Sequence, residues 1–199
     1  MKHVVTLAIV VFMASVIPAW GMTPTEEVRR TVDEVVRIVA DKDLKKPQNE
    51  QKRRKALKAA IGQIFDHAEM ARRSMGQNWK ELTPAQQKEF VDLFATLLEN
   101  SYAGKIESYN NEKIVYLKET VDGDYAEVKS RIVTAKHDEF SLDYRLMRTG
   151  DPWKVYDVVI EGVSLVSNYR SQFNKIVKSQ GYPELARKMK AKKEDLVVP

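Results

Sequence analysis

The chain has 199 residues, of which 43% are hydrophobic and 31% charged, and it contains no cysteine. A chain of this length forms one domain and buries roughly 70% of its unfolded surface, so neither disulfides nor a metal is needed for stability. The lack of cysteine excludes disulfides, thiol catalysis and cysteine-ligated metals.

The net charge of +5 is carried largely by the end of the chain. Five basic and two acidic residues follow residue 186. A basic tail of this kind favours contact with anionic lipid over nucleic acid, and the alternative is a solvated helix end. We therefore expect no nucleic-acid partner.

Residues 1–21 have the layout of a secretory signal peptide. Lys2 precedes an apolar run over 4–17, and small residues follow at Ala19 and Gly21. We expect cleavage near Gly21 and export of 22–199 as a single domain. The alternative is a helical membrane anchor, but this run of 14 residues is shorter than the roughly 20 that cross a bilayer. No cysteine follows the run, which excludes a lipid-anchored lipoprotein.

Two start signals of the same form predict helices in the part from 23 to 110. Each signal has a threonine as the N-cap, a proline at the first helical position and a glutamate or glutamine at the third. The two signals are Thr23-Pro24-Thr25-Glu26 and Thr83-Pro84-Ala85-Gln86. Between them we expect a helix from Glu50 to Ala68 that continues to Gly76. Each of these three helices carries an apolar stripe.

From Lys113 the apolar period changes to two, which predicts antiparallel strands over 113–161. Asp122-Gly123 favours a two-residue hairpin loop. With those residues as the loop, Leu117 faces Val128 and Val115 faces Ser130, so the apolar side chains share one face. The third strand places four side chains inward. The fourth strand, Trp153 to Ile160, is apolar on both faces, as is typical of strands that are covered on both sides. The four inward residues are Phe140, Leu142, Tyr144 and Leu146.

The end of the chain is predicted to return over the sheet. Glu161-Gly162 ends the fourth strand, and Ser164 can cap the helix that follows. Helices are expected over 164–195, with a break at Gly181-Tyr182-Pro183. The predicted fold class is therefore α+β, with helices packed on one face of a curved four-stranded antiparallel sheet.

The sequence offers little that resembles a catalytic or metal site. His67 and His137 have no second histidine at metal-ligand spacing. The run Asp66-His67-Ala68-Glu69 suggests a metal or catalytic role for His67, but neighbouring residues of a helix point to different faces. Ser164 lacks the second glycine of a G-x-S-x-G nucleophile motif, and there is no glycine-rich phosphate loop. We predict no catalytic residue, metal, cofactor or enzymatic activity, with a hydrolase using Ser164 or Asp66 as an alternative.

The apolar stripes and the half-apolar sheet leave two interpretations open. They can fill one another in a closed core, or they can enclose an apolar cavity for a lipid. An exported protein has a reason to carry lipid, because moving one ~16-carbon acyl chain into water costs on the order of 12 kcal/mol. Periodicity alone does not distinguish the two.

The stretch DVVIEGVSLVSNYRSQF at 157–173 resembles the signature of the MlaC, or toluene-tolerance, family. Further landmarks of this family occur in the same order along nearly all of the chain after the leader: Phe65-Asp66, Gly76, Trp79, Leu82-Thr83-Pro84, Phe90, Phe94, Tyr102 and Trp153-Lys154-Val155-Tyr156.

The resemblance implies a periplasmic phospholipid-binding protein with an apolar cavity between sheet and helices. Its implied partners are phospholipid, an outer-membrane lipoprotein complex and an inner-membrane ABC transporter, between which it shuttles lipid. The implied lining consists of Leu98, Tyr102, Val115, Leu117, Val128, Ile132, Leu142, Tyr144, Leu146, Val158, Ile160, Val163, Val166 and Tyr169. Arg170 is assigned to a headgroup or a protein partner. The competing hypothesis is a periplasmic protein-interaction or chaperone module with a closed core.

Overall fold

The computed structural model describes residues 21–148 and 150–191. The predicted signal peptide lies outside the described residues except for Gly21, and so do the last eight residues of the basic tail. The helices are α1 (Pro24–Ala40), α2 (Glu50–Ile64), α3 (His67–Met75), α4 (Pro84–Glu107) and α5 (Leu165–Lys190). The strands are β1 (Lys113–Asp122), β2 (Tyr125–Val133), β3 (Glu139–Met147), β4 (Lys154–Ile160) and β5 (Val163–Ser164). Short 3₁₀ turns occupy Pro47–Asn49 and Gly76–Glu81.

The strands form one antiparallel sheet in the order β1-β2-β3-β4-β5. The α+β class is confirmed, but the predicted count of four strands is wrong by one. Glu161 and Gly162 both have positive φ, as in tight hairpin turns, and they bring Val163 back to pair with Ile160. The chain therefore adds a two-residue fifth strand before it enters α5.

The β1–β2 pairing differs from the predicted one. Asp122 pairs with Tyr125, so the loop is Gly123-Asp124 instead of Asp122-Gly123. A β-bulge at Leu117 then shifts the pairing by one further residue, so Tyr116 pairs with Ser130. The predicted pairs Leu117–Val128 and Val115–Ser130 are wrong. The different loop shifts the partners by two residues and keeps the faces, whereas the one-residue bulge turns the β1 side chains before Leu117 to the other face.

Local capping rules account for the helix starts. Thr23 and Thr83 each form a complete capping box, with Glu26 and Gln86 respectively, as predicted. Ser164 caps α5 by accepting a hydrogen bond from the Ser167 N–H at 3.0 Å. The predicted break at Gly181 is a kink within α5, where φ is 79°.

The helix predicted from Glu50 to Gly76 is divided in two. The chain leaves helical geometry at Phe65, which forms a parallel bridge with Val155 of β4, and the Asp66 N–H donates to the Val155 carbonyl at 2.9 Å. The Asp66 side chain then caps α3. A tertiary contact with the sheet edge thus interrupts a segment whose apolar pattern is helical throughout.

The buried apolar side chains form two main clusters. The sheet core consists of Val28, Ile64, Ala126, Val128, Tyr144, Leu146, Trp153, Val155 and Val158. The helical core consists of Met70, Ala71, Met75, Leu82, Phe90, Phe94, Leu98, Leu165, Val166, Tyr169, Phe173, Tyr182, Leu185, Ala186 and Met189. A smaller cluster joins α1 and α2 to the end of α4. The sheet thus packs mainly under α1 and the end of α2, and α3, α4 and α5 pack on one another.

Asp157 fastens α5 to β4. Its side chain is nearly fully buried. It accepts hydrogen bonds from the Val166 N–H at 3.0 Å, the Ser164 hydroxyl at 2.6 Å and the Arg145 guanidinium at 3.2 Å. The carboxylate therefore neutralises the positive end of α5 and satisfies an N–H that has no partner within the helix.

We expect Asp157→Ala to lower the free energy of unfolding by about 3 kcal/mol, because it leaves the buried Val166 N–H unpaired and removes bonds to a charged acceptor. Urea denaturation monitored by circular dichroism measures the change. Asp124→Ala is the control, since it removes only an exposed ion pair with Arg148, and we expect a loss below about 1 kcal/mol. Equal losses in the two variants would contradict this assignment.

Candidate functional site

The two cores meet at the half-buried side chains Phe65 and Ile160. We call the boundary between the cores the seam, and we include in it the half-buried Tyr102 of the helical core and Tyr116 and Leu142 of the sheet core. Phe65 and Ile160 pack against both cores, Tyr102 against the helical core, and Tyr116 and Leu142 against the sheet core. Among the described residues, no fully buried apolar side chain belongs to both cores. Within the described ranges, the apolar residues that pack against both cores are therefore the half-buried Phe65 and Ile160.

The sheet side of the seam is built by register. Tyr116 pairs with Ser130, Val128 with Tyr144, and Leu142 with Ile160, so these side chains share one face of the sheet. Ser130 is fully buried on that face, and its hydroxyl donates to the Leu142 carbonyl.

The helical side is built by aromatic packing. Tyr169 of α5 contacts Phe94 of α4 edge-on with ring centres 5.5 Å apart, and it stacks on Phe173 at 5.5 Å. Phe90 continues the cluster with an edge-on contact to Phe173 at 5.6 Å. Leu98 and Tyr102 extend the same wall toward the end of α4.

The structure brings most of the predicted lining residues to these two walls. Val128, Leu142, Tyr144, Leu146, Val158 and Ile160 belong to or pack on the sheet core, and Leu98, Tyr102, Val166 and Tyr169 belong to or pack on the helical core.

Four predicted lining residues lie elsewhere. Val115 pairs with Arg131 on the opposite face of the sheet, and Leu117, in the bulge, is 53% exposed. Val163 is 46% exposed beside the β4–β5 turn. Ile132 lies on the inner face but is not among the residues of either core. The expectation that Val115 and Leu117 point inward with Val128 is therefore wrong, for the register reason given above.

Arg170 is exposed. Its guanidinium donates to the Ser167 hydroxyl at 3.1 Å, and its side-chain stem lies against Gly76. Gly76 has φ of 56°, and a Cβ there would lie 3.2 Å from the Arg170 Cδ, so both backbone and space favour glycine.

Sequence reasoning missed three residues of the site. Tyr116 is predicted on the outer face, and the bulge at Leu117 that brings it inward has no signal in the apolar pattern. Ser130 is predicted on the inner face opposite Val115, but it is not among the predicted lining residues. Phe65 was read as part of a helix face, and no local signal shows that it pairs with β4.

Burial raises the pKa of every tyrosine at or beside the seam. It raises the pKa of Tyr116 to about 12, and it raises those of Tyr102, Tyr144 and Tyr169 as well. The nearby Tyr169 adds to the rise in the pKa of Tyr102, and the nearby Tyr116 adds to the rise in the pKa of Tyr144. All of them are neutral hydroxyl groups at physiological pH.

An open cleft of about 500 Å³ lies along α5, away from the seam. Its walls are mostly polar: Asn168, Gln172, Lys175, Ile176, Ser179, Gln180 and Lys188. This cleft does not match the apolar cavity predicted between sheet and helices, which stays a prediction.

Within 21–148 and 150–191 no group of three or more metal-ligating side chains is assembled. His67 instead stacks on Phe65 with ring centres 6.2 Å apart. None of the helices in the described ranges combines the length and apolar character needed to cross a bilayer.

Comparison with known proteins gives one family. The family profile described as "MlaC protein" matches residues 29–191. The intermembrane phospholipid transport system binding protein MlaC of Haemophilus influenzae is 31% identical over 120 residues, which are 58% of this chain and 56% of that protein. The toluene tolerance protein ttg2D of Pseudomonas putida is 26% identical over 128 residues, or 63% of this chain and 60% of that protein. The chain thus matches less than two thirds of the length of these relatives.

A solved structure shares the fold. The phospholipid-binding protein from Ralstonia solanacearum, determined in complex with a phospholipid, superimposes with a TM-score of 0.75 and 29% identity. The match covers 85% of this chain and 96% of that one.

The burial of His67 predicts a pH dependence of stability. Desolvation lowers the pKa of His67, and Lys58 adds to this, against the opposing charges of Asp66 and Glu99. Because the folded-state pKa lies below the unfolded value of about 6.5, the unfolded chain binds more protons, so this contribution is present above about pH 6.5 and is lost as the pH falls through the folded pKa. Urea midpoints from pH 7.5 to 5 should fall more steeply for the wild type than for His67→Gln. Parallel curves would contradict the assignment.

Proposed function

Since the chain belongs to the MlaC family, we propose that it is a periplasmic phospholipid-binding protein that carries lipid between an outer-membrane lipoprotein complex and an inner-membrane ABC transporter. The single observation that carries the proposal is the fold shared with nearly the whole of a protein solved with a phospholipid bound. The proposed leader, 1–21, supplies the export that this role requires.

The seam gives the role a physical basis in this chain. Each core keeps its own fully buried members, and Phe65 and Ile160, which pack against both, are themselves half-buried. Separating the walls therefore disturbs few tightly packed contacts, and it exposes apolar side chains that acyl tails can cover again. Tails covered in this way avoid the transfer cost of about 0.8 kcal/mol per CH₂.

We assign the acyl tails to the space between the two walls. On the sheet side they contact Leu142, Tyr144 and Ile160, and on the helical side Leu98 and Tyr102. Val115, Leu117 and Val163 stand outside this space because of their register and exposure. Arg170 remains a proposed contact for a headgroup or partner, since it is exposed at the start of α5.

We expect the mature protein, purified without detergent from the periplasm, to carry phospholipid that native mass spectrometry and lipid extraction detect. Leu142→Trp fills the seam with an apolar side chain and should lower lipid occupancy roughly tenfold, since overpacking costs about 1–3 kcal/mol when a tail must share the space. Leu117→Trp is the matched control, because it makes the same change at the exposed bulge.

Two results would count against this proposal. A wild-type protein free of phospholipid would favour the closed-core interaction module. Equal occupancy in Leu142→Trp and Leu117→Trp, with both variants folded by circular dichroism, would place the tails away from the seam.

A further inference from the structure

Three tyrosine hydroxyls are buried without a hydrogen-bond partner among residues 21–148 and 150–191: those of Tyr102, Tyr116 and Tyr169. Ser101 comes near the Tyr169 hydroxyl and partly offsets the rise in its pKa, without reaching hydrogen-bond geometry. Buried hydroxyls are almost always paired, because leaving one unpaired forfeits the bond it made to water. Three such groups in the described part of the chain need an explanation.

The three residues stand on both sides of the seam. Tyr116 packs on the sheet core, and Tyr102 and Tyr169 belong to the helical wall. Tyr169 as a whole is 0% exposed, so bulk water does not satisfy its hydroxyl. Since the proposed function places a lipid between these walls, the missing partner is expected on the lipid.

The hydroxyls can only act as neutral donors or acceptors. Burial keeps the pKa of all three above the ordinary value for tyrosine, so they carry a proton at any physiological pH. A protonated phenol suits an uncharged acceptor within an apolar site, where an unscreened phosphate would lose its hydration.

Positive charge lies over the rings of two of these tyrosines. The Arg29 guanidinium lies 4.8 Å from the ring centre of Tyr116, and the Lys105 ammonium lies 5.3 Å from that of Tyr102. Both cations are exposed, whereas both hydroxyls are buried. Each of these two tyrosines thus combines an exposed cation over its ring with a buried hydroxyl, and these two groups suit the phosphate and the ester of a glycerophospholipid.

We propose that the hydroxyls of Tyr102, Tyr116 and Tyr169 donate hydrogen bonds to the ester carbonyl oxygens of a bound diacyl phospholipid, an inference that rests on the proposed function. An ester carbonyl accepts hydrogen bonds and donates none, and a diacyl lipid supplies two such groups. The tyrosines then select lipids with ester linkages and fix how deeply the molecule enters the seam.

The test compares two phosphatidylethanolamines with the same saturated chains, one a diester and the other a diether, which lacks the carbonyl oxygens. The delipidated full-length mature protein is titrated with each, and dissociation constants are measured by native mass spectrometry. We expect the wild type to bind the diester at least about tenfold more tightly. Each of Tyr102→Phe, Tyr116→Phe and Tyr169→Phe should reduce that preference by roughly two- to tenfold, the range set by the net contribution of one hydrogen bond. The triple variant should bind both lipids alike.

Tyr182→Phe is the matched control. The Tyr182 hydroxyl is already paired, with the Gln86 carbonyl at 3.1 Å and the Glu89 carboxylate at 3.0 Å. Its loss should lower the melting temperature of the lipid-free protein and leave the diester preference unchanged. The triple variant should melt no lower than the wild type when lipid-free, because it removes hydroxyls that have no partner.

The outcomes separate the two proposals. A wild type that binds diester and diether equally, or a triple variant that keeps the wild-type preference, overturns the ester contact and leaves lipid carriage standing. A wild type that binds neither lipid overturns the proposed function, and with it this inference.

Discussion

The attachment of the helical layer to the edge of β4 is the constraint on which the rest of the structure depends. At one point the Val155 carbonyl accepts from the Asp66 N–H, where α2 gives way to α3. At the other, Asp157 holds the first turn of α5. Both contacts are polar, directional and close in sequence on one strand. They place α3 and α5 side by side, and α4 then packs on the pair through Phe90 and Phe94.

In that arrangement, the polar bonds that attach the helices to β4 are different from the apolar contacts between the sheet and the helices. The polar attachments lie along one strand edge, whereas the apolar contacts across the seam involve half-buried side chains such as Phe65 and Ile160. In the proposed carrier, the helical layer separates from the sheet at the seam while the two attachments to β4 stay in place. Because each core keeps its own buried members, such a movement costs mainly the apolar area of the seam, and that is the area that we propose an acyl chain covers.

Local sequence signals were enough to predict where these helices begin, because Thr23, Thr83 and Ser164 each cap a helix by accepting a hydrogen bond from the N–H three residues further on. They were sufficient for the inward face of β3 too, where the alternation is regular. They failed at the first hairpin, because Asp122-Gly123 and Gly123-Asp124 are both acceptable loops and differ by one residue. The apolar pattern then misled, since Leu117 sits in a bulge that no pattern shows. Phe65 and Val163 depend on pairing with β4, which is a tertiary fact, so a four-stranded sheet and an unbroken second helix were the natural expectations.

The composition of the aromatic cluster shows why the tyrosines matter. Tyr169 lies between Phe94 and Phe173 in one packed group, and Phe90 completes it. Phenylalanine satisfies the packing at three of these four positions, so ring packing alone does not account for a hydroxyl at the fourth. In the empty protein that hydroxyl is a liability, because the folded state gives up its bond to water and gains none. The same holds for Tyr102 and Tyr116. On the ester contact proposed above, a lipid that fills the seam supplies the missing partner, so binding of the lipid stabilises the folded protein.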